Sequence, residues 1–398
     1  MDSTSLLTKG YQMPSLSKRT ELVIQSEIRS MTLECNRAGG INLAQGVCDL
    51  EVPPPVREGA QRAINEGFNI YTRYDGLPIL REAIANKMET QNGLVVDPDS
   101  EVIVSSGSTG IFYSTCLALL DPGDEVILFE PFYQYHLNTL LSLGVIPRFV
   151  TTSPPNWDFD YIHLENAIND KTKAIIINTP SNPSGKVFNQ NELKLIAKVV
   201  QENDLFLITD EIYEHFVYDG NIHTSPATIP GLLDHTITIT GASKIFSITG
   251  WRIGYSISNA KWAKIIGYMN DLVYVCAPSP LQVGVAKGLE ELSPGYYSNI
   301  RDEFAIKREK ICNSLSKAGL NPYKPQGAYY VLADVSSIPG STSKEKAIYL
   351  LSETGVAGVP GSAFYNSSEG ENLMRFCYAK TDEDLEEACR RLETLSTI

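Results

Sequence analysis

The 398-residue sequence lacks any apolar run long enough to cross a bilayer, for which about 18 residues are needed. Its N-terminal segment (MDSTSLLTKGYQMPSLSKR) also lacks the basic start and apolar stretch that are typical of a secretory signal. We therefore expect no membrane partner and a location in the cytoplasm.

Positive charge is scarce as well. Lys and Arg together number 33 against 47 Asp and Glu, which gives a formal net charge of −14. The basic residues are scattered, whereas a protein that binds a phosphate backbone needs a basic surface. We expect no nucleic-acid partner.

Disulfide and metal-binding patterns are missing too. The seven cysteines are odd in number, widely separated and never arranged as C-x-x-C. This pattern favours buried, reduced thiols of a cytosolic protein over a disulfide framework or a zinc site. His215 follows Glu211 by four residues, but no second histidine stands at metalloprotease spacing. We therefore expect no metal.

What is present is the composition of a folded protein, 43% hydrophobic and 20% charged. The middle of the chain alternates short apolar runs with helical patterns. Such alternation predicts an α/β fold, with a mostly parallel central sheet covered by helices on both faces. The predicted strands are 101–105, 125–130, 173–178, 205–209, 236–240 and 253–258.

The two ends of the chain follow a different pattern. A helical stretch over 297–318, a strand over 373–379 and a final helix from Asp382 indicate a smaller α+β domain. The predicted division is an N-terminal arm (1–45) that packs on the small domain or on a partner, a large domain (46–290) and a small C-terminal domain (291–398).

Polar residues follow several predicted strands, at the sheet edge where open parallel sheets bind ligands. The loop 107–110 offers backbone N–H groups and two hydroxyls at a helix N-terminus, which suits a phosphate dianion. Taken alone, an ordinary helix cap is the simpler interpretation. Neither G-x-G-x-x-G nor G-x-x-x-x-G-K-[ST] is present.

Lys244 directly follows an apolar strand and three small residues. In a pocket, burial and a neighbouring cation such as Arg252 would lower its pKa and make the amine nucleophilic. Nucleophilic lysines form Schiff bases with aldehydes. Taken alone, a surface position is again the simpler interpretation.

Asp210 ends a fully apolar strand, so its carboxylate needs a cationic partner. A protonated pyridine nitrogen would serve, and it would make the ring the electron sink that pyridoxal 5′-phosphate (PLP) chemistry requires. Tyr133 could stack on such a ring, and Asn182 and Tyr213 could donate hydrogen bonds to its phenolic oxygen. Core packing explains each tyrosine equally well on its own.

Seven ordered segments resemble the class I/II PLP-dependent aminotransferases of fold type I, over roughly residues 15 to 395. The segments YTRYDG, PQGAYY and MRFCYAK make the chain most similar to the kynurenine/glutamine and methionine types. The seven matching segments are LAQGVCDL (43–50), YTRYDGLPILREAIA (71–85), TPSNPSGKV (179–187), TDEIYEH (209–215), GASKIFSITGWRIGY (241–255), VPGSAF (359–364) and LMRFCYAK (373–380).

The resemblance implies a role for each matching residue that faces the cofactor ring. Lys244 would carry PLP as the internal aldimine and later shuttle the proton between the substrate Cα and the cofactor C4′. Asp210 would pair with the pyridine nitrogen. Asn182 and Tyr213 would bond the ring oxygen, and Tyr133 would stack on the ring.

The resemblance also implies a phosphate site formed by Ser108, Thr109, Ser243 and Arg252. Tyr71 would reach the same phosphate from the other subunit of a homodimer, so that each subunit completes its partner's site.

Substrate contacts follow from the same resemblance. Arg375 would clamp the substrate α-carboxylate bidentately beside Asn182, and Gly46 would let that carboxylate approach the backbone. His136 would support Asp210 from behind, or would be a core histidine. Side-chain specificity would depend on walls formed by 26–29, Tyr135 and 274–279.

Two segments depart from the family pattern, and one expected feature is missing. The usual acidic-Pro-Asp after the N-terminal glycine is Val47-Cys48-Asp49, and NPTG is replaced by NPSG at 182–185. No clear arginine is positioned for a dicarboxylate side chain, which favours neutral donors (aromatic, glutamine or methionine type) over aspartate.

The sequence therefore predicts a homodimeric PLP-dependent aminotransferase that transfers an amino group from an L-amino acid to a 2-oxo acid by a ping-pong mechanism. A PLP-dependent C–S β-lyase acting on cysteine conjugates is the alternative, because it shares the same lysine chemistry. A PLP-sensing DNA-binding regulator is disfavoured by the short, acidic N-terminal segment. An inactive scaffold is disfavoured by the complete residue set.

Overall fold

The computed structural model describes residues 15–23 and 25–395. The strands are β1 (Ile41–Asn42), β2 (Val102–Ser106), β3 (Glu125–Glu130), β4 (Ile146–Ser153), β5 (Asp158–Phe159), β6 (Thr172–Asn178), β7 (Phe206–Asp210), β8 (Thr236–Gly241), β9 (Ile253–Ile257), β10 (Asn321–Tyr323), β11 (Tyr330–Asp334), β12 (Val356–Ala357), β13 (Val359–Pro360) and β14 (Leu373–Cys377).

The α-helices are α1 (Glu27–Ala38), α2 (Pro54–Asn65), α3 (Pro78–Asn92), α4 (Gly107–Leu119), α5 (Gln134–Leu143), α6 (Tyr161–Asn166), α7 (Gln190–Glu202), α8 (Ala260–Tyr274), α9 (Ser279–Glu291), α10 (Pro294–Lys317), α11 (Ser343–Thr354) and α12 (Asp382–Leu392). Short 3₁₀ helices span Lys18–Glu21, Pro226–Thr228, Leu233–His235, Gly361–Phe364 and Ser368–Asn372.

The central sheet has eight strands in the order β2-β9-β8-β7-β6-β3-β4-β5. The pairs β8–β7, β7–β6, β6–β3 and β3–β4 are all parallel. The α/β class with a mostly parallel sheet, predicted from the alternating pattern, is confirmed.

Helices cover both faces of this sheet because successive strand residues point to opposite sides. On β3, Val126 packs in a cluster with Ile266 of α8, whereas its neighbour Ile127 packs in a second cluster with Leu193 of α7. All six residues of β3 are buried, which explains why this strand is a continuous apolar run with a carboxylate at each end.

Strand β9 is an exception to the parallel strand–helix–strand pattern, because it runs antiparallel to both β8 and β2. The connection over 242–252 contains no helix. A parallel crossover needs about a dozen residues and usually a helix, so this short connection can only return the chain in the opposite direction. It thereby holds Lys244 just beyond the carboxyl end of β8.

The C-terminal elements form a separate four-stranded sheet in the order β10-β11-β14-β13, and β1 pairs with β12. Arg375 lies in β14, opposite Leu332 of β11 and Val359 of β13. Helix α1 is fastened to α11, where Lys344 Nζ donates to Ser30 Oγ at 2.7 Å. The exact boundaries at 45/46 and 290/291 stay a prediction, and residues 1–14 of the arm lie outside the described residues.

Within the part of the chain that the structure describes, no helix combines the length and apolarity that crossing a membrane requires.

The contact between β9 and α4 leads to a stability prediction. A Cβ on Gly254 would stand 2.3 Å from the backbone N of Ser108, and backbone cannot rotate away. We expect Gly254→Ala to cost roughly 1–3 kcal/mol of unfolding free energy, as overpacking does. Gly250→Ala is the control, because nothing lies within 4 Å of its Cβ position. Urea midpoints measure both variants, and equal midpoints would contradict the prediction.

Candidate active site

A cavity of about 820 Å³ opens beyond the carboxyl ends of the central strands. It brings together Gly46, Ser108, Thr109, Tyr133, His136, Asn182, Asp210, Tyr213, Ser243, Lys244, Arg252 and Arg375. These residues come from segments far apart in the chain. They meet because parallel strands end at one edge of the sheet, and because the C-terminal sheet closes the opposite side.

Lys244 lies in the turn after β8 with its amine inside this cavity. Its Nζ donates a 3.2 Å hydrogen bond to the carbonyl oxygen of Gly46. Burial is the main cause that lowers the pKa of the amine to about 8; Arg252 also lowers it, whereas Cys377, Cys48 and Asp210 oppose the decrease. An appreciable fraction of the amine is therefore neutral near physiological pH. Only this neutral form can act as a nucleophile or a proton acceptor.

Asp210 is fixed from three directions at the end of β7. His136 Nε2 lies 3.1 Å from Asp210 Oδ2, and the Ile212 N–H donates to Oδ1 at 3.3 Å. Asn178 Nδ2 donates to the Asp210 carbonyl oxygen at 2.9 Å. These contacts fix the orientation of the carboxyl group, which the cavity offers to a cationic ligand group.

Several tyrosine side chains line the cavity near this carboxylate. The hydroxyls of Tyr213 and Tyr330 lie 2.9 Å apart. Burial raises the pKa of both Tyr133 and Tyr213, so their hydroxyls stay protonated and can donate. The Tyr133 ring stacks on Tyr135 with centroids 5.3 Å apart.

The first turn of α4 forms an anion cradle. The predicted loop 107–110 is already helical, and Gly107 has φ of 79°, a conformation that favours glycine. A Cβ there would stand 2.4 Å from Arg252 NH2, so the guanidinium lies directly above this residue. Helix N–H groups, nearby hydroxyls of Ser108 and Ser243, and one guanidinium together match a phosphate dianion.

Arg375 is fully buried at 0% exposure, yet no carboxylate pairs with it among residues 15–23 and 25–395. Its NH1 donates to Asn182 Oδ1 at 2.7 Å, and its guanidinium lies 4.3 Å from the Tyr330 ring centroid and 5.0 Å from that of Phe364. Its Nε has no partner. A buried cation without an anion is costly, so this geometry calls for an anionic ligand.

Gly46 supplies the closest backbone approach in the cavity. A Cβ at this position would lie only 1.8 Å from the Tyr330 hydroxyl. A side chain is therefore incompatible with the Tyr330 position, and the Gly46 carbonyl stays available to the Lys244 amine.

Some residues that the sequence assigned to the site lie outside this cavity, and two residues of the site were not predicted. Tyr71 is 81% exposed and does not line the cavity of this chain, and its assignment to the partner's site stays a prediction. None of 274–279 lines the cavity within this chain. Sequence reasoning missed Asn178 and Tyr330, although Asn178 ends the predicted strand 173–178 and Tyr330 ends the segment PQGAYY (325–330).

Comparison with known proteins decides the family. The family model "Aminotransferase class I and II" matches residues 38–392. The chain belongs to this family. An aspartate aminotransferase of Pyrococcus abyssi is 37% identical, over 95% of this chain and 97% of that protein. Kynurenine–oxoglutarate transaminase 3 of Homo sapiens is 35% identical, over 87% of this chain and 83% of its own.

Solved structures agree with this aminotransferase assignment. The N-succinyldiaminopimelate aminotransferase of Mycobacterium tuberculosis superposes with a TM-score of 0.93 at 32% identity, covering 96% of this chain and 100% of that one. The protein is thus an aminotransferase, which moves an amino group from an amino acid to a 2-oxo acid. The C–S lyase alternative has no better support.

The lowered pKa of Lys244 gives a pH prediction. The apoenzyme is mixed with pyridoxal phosphate, and the bond is trapped by borohydride at each pH. Covalent attachment at Lys244 should rise with pH around a midpoint near 8, because only the neutral amine attacks an aldehyde. Mass spectrometry of the modified peptide gives the yield. A midpoint above 10, as for an exposed lysine, would contradict the prediction.

Proposed function

We propose that this cavity binds PLP, with Lys244 as its covalent attachment point and as the proton-transferring base of transamination. The observation that carries the proposal is the presence in one cavity of an amine with a lowered pKa, a fixed carboxylate and a buried, unpaired guanidinium. Bound PLP supplies an electron-poor ring that stabilises negative charge at the substrate Cα.

The residues fit this cofactor part by part. Asp210 would hold the proton on the pyridine nitrogen, with His136 keeping the carboxylate in place. Asn182 Oδ1 already accepts from Arg375, so its amide N–H₂ can donate to the ring oxygen together with Tyr213. Tyr133 would lie against the ring face.

The phosphate of the cofactor would lie at the first turn of α4. Ser108, Thr109, Ser243 and Arg252 would hold it together with the helix N-terminus. Ser108 Oγ donates to the Thr240 carbonyl at 3.0 Å. A phosphate dianion only accepts hydrogen bonds, so the Ser108 hydroxyl would turn from this carbonyl to donate to the phosphate.

The substrate would be oriented by Arg375. Its guanidinium would bind the α-carboxylate bidentately beside Asn182, which places the Cα within reach of the Lys244 amine. That amine would remove the Cα proton and return it in the reverse half-reaction. Tyr330 and Gly46 would exclude water around the carboxylate.

A homodimer is part of the proposal. Ile70 and Tyr71 lie next to each other at 79% and 81% exposure, and Leu272 is also 79% exposed. Exposed apolar residues of this size support an interface, through which Tyr71 would reach the phosphate of the partner's site. The seven cysteines are all free thiols, which supports a reducing compartment such as the cytosol.

For the donor we propose a neutral L-amino acid of aromatic, glutamine or methionine type. Ile28, Leu33 and Tyr135 line the cavity and offer an apolar surface to such a side chain. The relatives named above include an aspartate aminotransferase and a kynurenine transaminase, and both are compatible with a 2-oxo acid as the acceptor.

Lys244→Ala tests the attachment point. We expect the variant to bind no PLP covalently and to lose transamination by more than about a thousandfold, because the positioned base is gone as well. Lys261→Ala is the control, since this exposed lysine lies outside the cavity. Borohydride trapping and coupled assays measure both effects. Retention of covalent cofactor and turnover in Lys244→Ala would overturn the assignment.

Arg375→Lys tests substrate capture. Lysine keeps the charge but cannot form two parallel hydrogen bonds, so kcat/KM should fall by a factor that corresponds to roughly 1.5–3 kcal/mol. The decrease should apply to every amino acid, because all carry an α-carboxylate. Cofactor content and circular dichroism verify that the variant is folded. An unchanged specificity constant for all amino acids would refute the role.

A further inference from the structure

One buried hydroxyl of the cavity has no hydrogen-bonding role in the proposed function. Tyr330 is the first residue of β11 and is 2% exposed. Its Oη lies 2.9 Å from the Tyr213 Oη, and its ring centroid lies 4.3 Å from the guanidinium carbon of Arg375. Tyr213 is the proposed partner of the cofactor, and Arg375 that of the substrate. Tyr330 therefore contacts one residue from each half of the site.

The register of the C-terminal sheet brings the Tyr330 ring to the guanidinium. Arg375 of β14 is opposite Leu332 of β11, and Tyr330 stands two residues before Leu332. Residues two apart on a strand point to the same face, so the side chains of Tyr330 and Arg375 are diagonal neighbours on one face. A guanidinium this close to an aromatic ring is attracted to the ring face, most strongly where water is excluded.

Packing also fixes the direction of the Tyr330 hydroxyl. Its oxygen lies against Gly46, where a Cβ would stand only 1.8 Å away. The rings of Tyr213 and Tyr329 pack against the Tyr330 ring, with centroids 5.6 Å and 4.9 Å from its own. The hydroxyl therefore points to Tyr213 because backbone and two rings enclose the phenol, and not because of one contact alone.

The hydrogen bond between the two phenols can run in either direction. Burial raises the pKa of both Tyr213 and Tyr330, so each keeps its proton. Each phenol has one proton and can donate one hydrogen bond at a time. Once Tyr213 donates to the ring oxygen of the cofactor, only Tyr330 can donate between the two hydroxyls. Binding of the cofactor would thus select one of the two directions.

We infer that Tyr330 is a positioning residue with two separable parts. Its hydroxyl donates to Tyr213, so that Tyr213 donates more strongly to the ring oxygen, and its ring holds the Arg375 guanidinium where the substrate carboxylate binds. The first effect follows because hydrogen bonds in a chain polarise one another. The inference rests on the proposed function and deepens it, since it names a residue that links the cofactor and substrate halves of the site.

The role of the hydroxyl leads to a spectroscopic signature. A hydrogen bond donated to the ring oxygen favours the ionised form of this oxygen and makes it less basic. The proton that the ring oxygen shares with the nitrogen of Lys244 is then released at a lower pH. Removal of the Tyr330 hydroxyl should therefore move the pH midpoint of the visible absorbance band upward.

Other titratable groups surround Tyr330 and the proposed cofactor position, and they are the same in all the variants compared. They are Cys48, Tyr133, His136, Asp210, Tyr213, Lys244, Arg252, Tyr329, Arg375 and Cys377. A shift between parent and variant thus reports the changed side chain at position 330.

The test compares Tyr330→Phe, which keeps the ring, with Tyr330→Met, which removes both the ring and the hydroxyl. Tyr378→Phe is the matched control, since this buried hydroxyl donates to the Ala328 carbonyl at 3.0 Å and the residue does not line the cavity. Two quantities are measured on the holoenzyme: the pH midpoint of the visible band, and calorimetric binding of 3-phenylpropanoate, a monocarboxylate without an amino group. Circular dichroism verifies folding, and Tyr330→Leu replaces Tyr330→Met if the latter does not fold.

We expect Tyr330→Phe to raise the midpoint by about 0.4 to 1 pH unit, the equivalent of one lost net hydrogen bond. Its affinity for 3-phenylpropanoate should stay within about threefold of the parent value, because the ring over the guanidinium is retained. Tyr330→Met should raise the midpoint by a similar amount and also weaken 3-phenylpropanoate binding by about 5- to 30-fold. Tyr378→Phe should match the parent in both measurements.

Each outcome decides one part of the inference. A midpoint in Tyr330→Phe that equals the parent value or falls below it would overturn the role of the hydroxyl. Unchanged affinity for 3-phenylpropanoate in the variant without the ring would overturn the role of the ring. Equal shifts in Tyr378→Phe would show a general loosening of the fold and overturn both. A parent enzyme with no visible band and no cofactor bound to Lys244 would instead refute the proposed function.

Discussion

The burial of Arg375 without a carboxylate partner is the constraint on which the site depends. An ion removed from water is strongly destabilising unless other groups replace its hydration. Here an amide oxygen of Asn182, a backbone carbonyl and two aromatic rings replace part of it, and Nε stays unsatisfied. The chain holds this charge in place only because β14 is paired on both sides, by β11 and β13. An anionic ligand can supply the charge interaction that the Arg375 guanidinium lacks within the chain.

A second set of contacts fixes the position of Lys244 relative to the anion cradle at the start of α4. The turn between β8 and β9 carries Lys244, while Gly254 of β9 touches the backbone of Ser108 at the start of α4. Two glycines, Gly107 and Gly254, allow this close approach of backbone segments. The amine and the helix N-terminus therefore share one rigid base, and neither can shift without disturbing the other.

The N-terminal segment completes the cavity from the opposite side. Asp49 pairs with Lys380 at 2.7 Å, which ties the segment carrying Gly46 to the end of β14. Cys48, where the family usually has proline, is buried, with its sulfur 3.2 Å from Ser247 Oγ in the Lys244 turn. The departure from the family pattern thus lies against the turn that carries the lysine. Gly46, Arg375 and Lys244 are joined through these contacts into one unit.

The amino-acid sequence by itself determined six of the eight strands of the central sheet, and also which residues would stand at their ends. Apolar periodicity is a local property, and parallel strands necessarily deliver their ends to one edge. Only the tertiary structure decided the antiparallel direction of β9 and the contributions of Asn178 and Tyr330. These depend on which side chains meet across long separations in the chain, a matter of packing that no local pattern encodes.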